Sequence, residues 1–265
     1  MTGYAELAVT TNFSFLRGAS HPEELVAQAR GLGLAAIGIA DRNTLAGVVR
    51  AHLAAKEHDM RLLVGARLVT SEGIDLIAYP QDRAAYGRLS RLLSEGKRRA
   101  PKGDCHITLE DVMAHSDGQV FIAIPPPQPA ETYRLRLEWL RARWGDRLYL
   151  GARYSFQGQN RERIARLADL GLKAGGVPIV AVNDVLYHAA ERRPLQDVVT
   201  CIREHCTVDE AGFRLEANAE RHIKPPEEMA RLFKGFEPAL RRTLEIAERC
   251  RFSLDELAYE YPDEP

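Results

Sequence analysis

Three carboxylates stand beside short apolar segments of this sequence: Asp41 and Asp184 follow such segments, and Asp75 begins one. Carboxylates that converge on one site can hold hard metal ions or act in acid–base chemistry. A centre with two or more metal ions, however, needs roughly six to nine ligands, usually with several imidazoles among them. Of the histidines, only His188 lies near these segment ends, so the sequence does not supply a full ligand set.

Three arginines lie in the same region and change the sign of the electric charge expected there. Arg42 directly follows Asp41, Arg67 lies within the third apolar segment, and Arg17 stands in the loop after the first. A guanidinium can form a two-pronged ion pair with a carboxylate, and it can equally hold a phosphate. Internal pairing of these arginines with Asp41 and Asp184 is the favoured interpretation, and an anion site built from the same arginines is the alternative.

The apolar segments are predicted to be seven β-strands that alternate with amphipathic helices. Each is short and mostly apolar, as buried parallel strands usually are. The strands are expected at 4–10, 35–40, 61–69, 74–79, 119–124, 147–153 and 178–182. Because only residues 70–73 separate the third strand from the fourth, that pair is predicted to be antiparallel. In barrels of alternating strands and helices, active sites form at the carboxyl ends of the strands, where the charged residues above would meet.

Helices are predicted between most strands and beyond the last one. A capping box, Ser20-x-x-Glu23, is expected to open the first helix, which would end near residues 31–33. The other helices are expected at 43–58, 82–95, 129–144, 159–171, 189–205, 226–233 and 237–250. The pattern predicts an α/β fold, a distorted seven-stranded barrel with its core at about 4–205. A helical extension at about 206–255 and a linker-like tail at 256–265 would follow it.

The overall composition excludes several classes of protein. With 265 residues, of which 45% are hydrophobic and 28% charged, the chain is expected to fold. Its formal net charge of -1 gives no general attraction to nucleic acid, so DNA would have to meet a local basic patch. The candidates for that patch are Lys97, Arg98, Arg99 and Lys102, although a solvated helix end is the favoured interpretation of these residues. No apolar run reaches the roughly 18 to 20 residues that span a bilayer, so a cytoplasmic protein without a membrane partner is expected.

Several ordered segments, spread over nearly the whole chain, carry a resemblance to a known family. They include Tyr86-Gly-Arg-Leu-Ser-Arg-Leu92 and Val180-Ala-Val-Asn-Asp-Val185, and the others lie at 12–25, 41–49, 63–66, 97–103 and 249–257. Together they resemble the N-terminal PHP (polymerase and histidinol phosphatase) domain of bacterial C-family DNA polymerases. The error-prone, damage-induced branch of these polymerases is the most similar.

The resemblance implies a distorted seven-stranded PHP barrel and, in active members, a zinc or manganese cluster that hydrolyses phosphoesters. The positions that match the family's metal ligands are occupied here by Ala8, Thr10, Asp41, Arg42, Arg67, Asp75, Asp184 and Leu186. Among them, only Asp41 and Asp184 keep a ligand residue of the family. No metal or other cofactor is therefore expected, and zinc or manganese would be the ion of any residual site.

The sequence therefore predicts a degenerate, metal-free PHP domain that acts as a structural and protein-interaction module of an error-prone DNA polymerase. Its expected partners are the palm and thumb of the same full-length polymerase, with accessory mutagenesis or replication proteins as further candidates and DNA contacted indirectly. Catalysis by this chain alone is not expected. Two alternatives remain open: a metal-dependent phosphoesterase or 3'-5' exonuclease with a reduced metal site, and a module that binds phosphate or the DNA backbone.

Overall fold

The computed structural model describes residues 3–257, and a seven-stranded sheet forms its centre. The strands are β1 (Ala5–Val9), β2 (Ala36–Arg42), β3 (Leu62–Val69), β4 (Asp75–Pro80), β5 (Gln119–Ala123), β6 (Leu148–Ala152) and β7 (Ile179–Ala181). They are hydrogen-bonded in sequence order from β1 to β7. All neighbours run parallel except β4, which is antiparallel to both β3 and β5. The seven predicted strands and the antiparallel third pair are thereby confirmed.

Helices follow most of the strands and continue after the last one. They are α1 (Pro22–Gly31), α2 (Val48–Glu57), α3 (Arg83–Arg98), α4 (Leu109–Ala114), α5 (Glu131–Trp144), α6 (Asn160–Lys173), α7 (Arg193–Glu204), α8 (Val208–Ala211), α9 (Pro226–Leu232) and α10 (Glu237–Arg249). The short helices α4 and α8 had no counterpart in the predicted set. Across residues 3–257, no helix combines the length and apolar character needed to cross a membrane.

Helices α1 and α2 are among those that begin later than predicted, and side-chain contacts explain the difference in both. Helix α1 has His21 rather than Ser20 as its N-cap, and the Glu24 carboxylate accepts a hydrogen bond from the His21 N–H (2.9 Å). The Ser20 hydroxyl is engaged elsewhere, since it accepts a hydrogen bond from the backbone of His188 (3.0 Å). Helix α2 begins at Val48 instead of near residue 43, because Asn43 has a positive φ of 50°. The side-chain oxygen of Asn43 accepts a hydrogen bond from the backbone of β3.

The sheet is buried on both faces, which explains why its strands are apolar runs rather than alternating patterns. One face packs against the helices, and the other fills the interior of the curled sheet. Tyr79 crosses that interior and donates a hydrogen bond to the carbonyl of Leu7 (2.8 Å). Gly38 and Gly65 make room for its ring, since a Cβ at either position would lie 2.2 or 2.5 Å from Tyr79 atoms.

A buried carboxylate joins the first strand to the chain that follows the last. Glu6 accepts hydrogen bonds from the Tyr4 hydroxyl (2.6 Å) and from the backbone N–H groups of Ala8 and Asn183 (both 2.9 Å). Beyond it, Val9 of β1 forms a single parallel bridge with Val185. Burial raises the pKa of the Glu6 carboxyl to about 7, against the lowering effect of these hydrogen bonds. The Glu6 side chain therefore connects β1 to the chain after β7, a connection that backbone pairing between strands would provide in a closed barrel.

Helix α10 covers the gap between β1 and β7 at the other end of these strands. The Thr243 hydroxyl accepts a hydrogen bond from the Ala5 N–H (3.1 Å), and Arg242 donates one to the carbonyl of Ile179 (2.9 Å). This part of the predicted helical extension thus packs directly against the sheet. The predicted tail at 256–265 begins within a 3-10 turn, Leu254–Leu257, and residues 258–265 lie outside the described residues.

Candidate functional site

Charged side chains converge where β1, β2, β3 and β7 end and β4 begins, a region called here the mouth. Arg42 of β2 and Arg67 of β3 are register partners at this end, and Asp75 opens β4. Asp184 follows β7 with a positive φ of 53°. The fold therefore brings Arg42, Arg67, Asp75 and Asp184 to one place, as their positions at strand ends predicted.

Arg67 forms the centre of an ion-pair network across the mouth. Its Nε and Nη2 donate to the two carboxylate oxygens of Asp75 (2.8 and 2.7 Å), and its Nη1 donates to Asp184 (2.7 Å). The Arg67 side chain is only 17% exposed. Burial alone would lower the pKa of this guanidinium, but the carboxylates of Asp184 and Asp75 outweigh burial and raise it. The predicted pairing of Arg67 with Asp184 is present, and Asp75 is a second partner.

Asp184 is shared among three arginines. Besides Arg67, it contacts Arg221 (2.6 Å) and, more distantly, Arg153 (3.9 Å). Burial would raise the pKa of Asp184, yet the charges of Arg221, Arg67 and Arg153 hold it well below its usual range. Arg221 also donates to the Asp184 carbonyl (2.7 Å) and pairs with Glu216 (2.5 Å). The network therefore ties the mouth to the irregular segment between α8 and α9.

Within residues 3–257, Asp41 forms no ion pair with an arginine, so this part of the prediction was wrong. Its carboxylate accepts hydrogen bonds from the N–H and hydroxyl of Thr11 (both 2.8 Å) and from the hydroxyl of Ser14 (2.7 Å). Burial raises its pKa. The carboxylate lies against the start of α2, where a Cβ on Gly47 would be 2.5 Å from Asp41 Oδ2. Asp41 therefore holds the loop after β1 against the end of β2.

Arg17 and Arg42 also depart from the predicted internal pairing. Both side chains are partly buried, and neither forms an ion pair with any carboxylate in residues 3–257. Burial, together with Arg42, Arg203 and Arg67, lowers the pKa of Arg17 to about 10. Burial also lowers the pKa of Arg42, with Asp75 opposing this effect and Arg67 and Arg203 adding to it. Of the three arginines expected to pair internally, only Arg67 does so.

The network divides the mouth into two cavities. Both are lined by Arg67, Asp75, Asp184 and Arg221. The smaller cavity has a volume of about 220 Å³, and the larger about 1080 Å³. Further side chains complete the smaller cavity: Thr10, Arg17, Arg42, Leu186, Gln196, Thr200, Arg203, Arg214 and Glu216. Six arginines therefore face three carboxylates there, a formal charge of +3.

The residues at the mouth do not fit the metal cluster that the family resemblance implies. Ala8 and Leu186 are both buried, and neither offers a side-chain ligand atom. Thr10 contributes a hydroxyl to the smaller cavity but lies among arginines. Over residues 3–257, no group of three or more His, Cys, Asp or Glu side chains could hold a metal ion. His188 lies apart from the mouth carboxylates, with its Nδ1 2.8 Å from the Ser20 hydroxyl.

The basic patch is less available than its sequence indicated. Arg99 pairs with Asp111 (2.6 Å) and lies 3.9 Å from Glu95, so much of its charge is engaged inside the domain. Lys97 lies 3.4 Å from the hydroxyl of Thr44. Arg98 and Lys102 are exposed. A role of this patch in DNA contact stays a prediction.

Sequence reasoning missed Arg203, Arg214, Arg221 and Glu216 as residues of the mouth. A signal existed for Arg203, because Gln196, Thr200 and Arg203 recur at helical spacing on one face of α7. Arg214, Glu216 and Arg221 lie in or beside a segment without regular periodicity, so no pattern placed them.

The fold and the mouth together define a class, a curled seven-stranded α/β barrel whose strand ends carry a cluster of arginines. Two solved structures share the fold. One, from Bifidobacterium adolescentis and assigned to the metal-dependent phosphoesterases, has a TM-score of 0.51 and 18% identity, and the match covers 69% of this chain and 88% of that one. The other, a Chromobacterium violaceum amidohydrolase with bound sulfate and no metal, has a TM-score of 0.54 and 14% identity, over 70% of this chain and 88% of that one.

The sequence narrows this class to one family. Residues 6–145, more than half of the chain, match the family described as PHP domain, and the chain belongs to that family. The error-prone DNA polymerase of Caulobacter vibrioides is 55% identical over 99% of this chain, and that of Rhodopseudomonas palustris is 53% identical over 99%. Error-prone DNA polymerase 1 of Agrobacterium fabrum is 50% identical over 98%. The chain spans about a quarter (24%) of the length of each of these relatives.

Proposed function

We propose that this chain is a non-catalytic, metal-independent PHP domain that acts as a structural and protein-interaction module of an error-prone DNA polymerase. In the full-length protein it would support DNA-directed DNA synthesis in the context of damage tolerance and repair. The observation that carries the proposal is the position of Arg67. Its guanidinium lies between Asp75 and Asp184, with bonds of 2.7–2.8 Å to both, where a cation would have to bind.

Charge and the state of the remaining donors both oppose a metal at the mouth. A divalent cation placed between Asp75 and Asp184 would have to displace a guanidinium that already satisfies both carboxylates. It would also meet Arg221 and Arg153 around Asp184, and like charges in a poorly hydrated site repel strongly. The ion-pair network can fasten the ends of β3 and β4 to the chain after β7 without a cofactor.

The first experiment measures metal content and turnover. The purified domain should contain no stoichiometric zinc or manganese by elemental analysis. Its thermal unfolding midpoint should be the same with chelator as with added Zn²⁺ or Mn²⁺. Hydrolysis of p-nitrophenyl phosphate and of a 3'-labelled DNA strand should not exceed the rate of an Asp184→Asn variant. Stoichiometric metal, together with turnover that this variant loses, would refute the proposal.

An exposed apolar surface supports the interaction role. Along the outer side of α7, Leu195, Val198 and Ile202 are 42%, 45% and 54% exposed, and Val208 (50%) and Phe213 (109%) follow nearby. These five residues are called here the α7 surface. Apolar side chains that gather on one side of a folded domain are typical of a protein contact. The relatives contain about three times as much additional chain, and we propose that this polymerase region packs on the α7 surface.

A binding experiment can test this contact. The domain should bind the remaining polymerase region of a full-length relative, supplied as a separate polypeptide. Ile202→Ser should weaken binding about tenfold or more, since burial of an aliphatic side chain contributes about 1.5–3 kcal/mol. Leu172→Ser on α6 is the matched control, because Leu172 is a 72% exposed leucine away from the α7 surface. Equal affinities for Ile202→Ser and Leu172→Ser would exclude the α7 surface as the contact.

A further inference from the structure

The smaller cavity of the mouth concentrates positive charge that the protein itself does not neutralise. Arg67 and Arg221 are engaged with Asp75, Asp184 and Glu216. The other arginines of the cavity are differently placed: Arg17 and Arg42 have no ion-pair partner in residues 3–257, Arg203 pairs only with its exposed neighbour Glu204, and Arg214 is exposed. Several guanidinium groups therefore share one cavity of about 220 Å³ with spare charge.

Specific contacts hold Arg17 and Arg42 in this arrangement. Ser14 donates its hydroxyl to Asp41 (2.7 Å) and accepts a hydrogen bond from the Arg42 N–H (2.8 Å). The same loop continues to Arg17, whose N–H donates to the Ser14 carbonyl (2.9 Å). Asp41 thus acts as a positioning residue, because it fastens the loop that carries Arg17 to the strand that carries Arg42.

Helix α7 holds the loop from its other side. The buried Gln196 donates to the carbonyl of Arg17 (2.8 Å), and Arg203 donates to the carbonyl of Leu16 (2.7 Å). Gly18 lets the loop turn closely, since a Cβ there would lie 2.3 Å from the Thr11 carbonyl oxygen. The backbone at Arg17 and Arg42 is therefore fixed beside the cavity before any ligand arrives, and such preorganisation reduces the entropic cost of binding.

We infer that the smaller cavity binds a phosphate group, with Arg17 and Arg42 as its principal contacts and Arg203 and Arg214 at its edge. Guanidinium groups match phosphate oxygens in geometry and charge, and an anion would relieve the repulsion among them. A cavity of about 220 Å³ lies below the range of roughly 300–1,000 Å³ that holds drug-sized ligands, which favours a small anion. The phosphate could be free phosphate or pyrophosphate, or the terminal phosphate of a nucleic acid strand.

Calorimetric titration in metal-free, phosphate-free buffer tests this inference and separates the two sources. The probes are inorganic phosphate, pyrophosphate, and one oligonucleotide with and without a 5'-phosphate. Saturable binding of the free anions alone would identify a free anion as the ligand. Tighter binding of the 5'-phosphorylated strand than of its unphosphorylated form would identify a strand end. Failure of every probe to bind saturably at low ionic strength would overturn the inference.

Variants locate the site. Arg17→Gln and Arg42→Gln should each weaken binding about tenfold or more, because each removes a charge-assisted hydrogen bond. Arg241→Gln on α10 is the control, since Arg241 is exposed and α10 packs at the opposite end of β1 and β7 from the mouth. Binding that is as strong in Arg17→Gln and Arg42→Gln as in Arg241→Gln would overturn the assignment.

A stability measurement distinguishes a binding role from a structural one. Without ligand, Arg17→Gln and Arg42→Gln should unfold at the wild-type temperature or above it, because each removes a like charge from the cluster. Pyrophosphate should raise the unfolding temperature of the wild-type domain but not that of these variants. A lower unfolding temperature of both variants without ligand, with no ligand-induced rise in the wild type, would show that these arginines serve only the fold.

Discussion

Replacement of Arg67 by glutamine tests whether the ion-pair network stabilises the fold. The change removes three hydrogen bonds of 2.7–2.8 Å and leaves the Asp75 carboxylate without its partner. Loss of one member of a buried ion pair usually costs 3–5 kcal/mol. The lower end applies here, since Asp75 is 26% exposed and Asp184 keeps Arg221 at 2.6 Å. We therefore expect the free energy of unfolding to fall by about 3 kcal/mol at pH 7.

Urea unfolding followed by tryptophan fluorescence can measure this loss, because Trp144 is buried and stacks on Phe121. A thermal scan should show a midpoint lowered by about 6–12 °C. Arg231→Gln is the matched control: Arg231 makes the same two-pronged contact with Glu228 (2.8 and 2.7 Å) but is 66% exposed. An exposed pair of this kind contributes less than about 1 kcal/mol.

The double variant Arg67→Gln, Asp75→Asn separates the ion pair from simple loss of packing. Removal of the stranded carboxylate should recover about 1 kcal/mol or more relative to Arg67→Gln alone. Unfolding at acidic pH gives a second measure. The pKa of Asp184 is lower in the folded state than in the unfolded state, so the ionised carboxylate stabilises the fold at pH values above its unfolded-state pKa. This contribution disappears as the pH falls. Arg67→Gln should lose less stability on acidification than the wild type. Equal unfolding free energies for wild type, Arg67→Gln and Arg231→Gln would refute the reasoning.

Two further predictions concern the buried carboxylates Glu6 and Asp41. Burial raises the pKa of Glu6 from 4.5 to about 7, so the folded state binds this proton more tightly and stability should fall by up to about 3 kcal/mol as the pH rises through that interval. Urea unfolding at several pH values should show that Glu6→Gln lacks this slope, and identical pH profiles would contradict the prediction. Gly47→Ala should cost about 1–3 kcal/mol, because its Cβ would lie 2.5 Å from Asp41 Oδ2. Gly31→Ala, with nothing within 4 Å, should be neutral or slightly stabilising in the same assay, and equal effects would argue against crowding at Asp41.

The strands could be predicted from the sequence because a strand that is buried on both faces consists almost entirely of apolar residues. Segments such as 74–79 and 119–124 are almost wholly apolar, and they became β4 and β5 with only small shifts at their ends. The direction of β4 was also predictable, since a turn of four residues cannot hold a parallel crossover. Helix starts were less predictable, because the hydroxyl of Ser20 and the amide of Asn43 bond to residues distant in sequence.

The site could be predicted in position but only in part in its pairing. Strand ends placed Arg67 near Asp184, and that contact is present. The sequence could not show that Thr11 and Ser14 would donate hydrogen bonds to Asp41. These residues lie in the loop after β1, and an irregular loop has no repeating pattern from which its path could be predicted. Because the hydroxyls of Thr11 and Ser14 donate hydrogen bonds to the Asp41 carboxylate, an arginine that was expected to neutralise Asp41 has no carboxylate with which to pair.

Arg17 and Arg42 are thus left without a carboxylate partner at the mouth in residues 3–257. Arg67 pairs with Asp75 and, together with Arg221, with Asp184, so the network that fastens the sheet needs no charge from Arg17 or Arg42. If the cavity served packing alone, a neutral side chain at either position would avoid both the burial of a charge and the repulsion that lowers the pKa of each arginine. The structure instead holds the backbone of both arginines at the cavity through Asp41, Ser14 and Gln196, and a bound anion is the partner that would offset this cost.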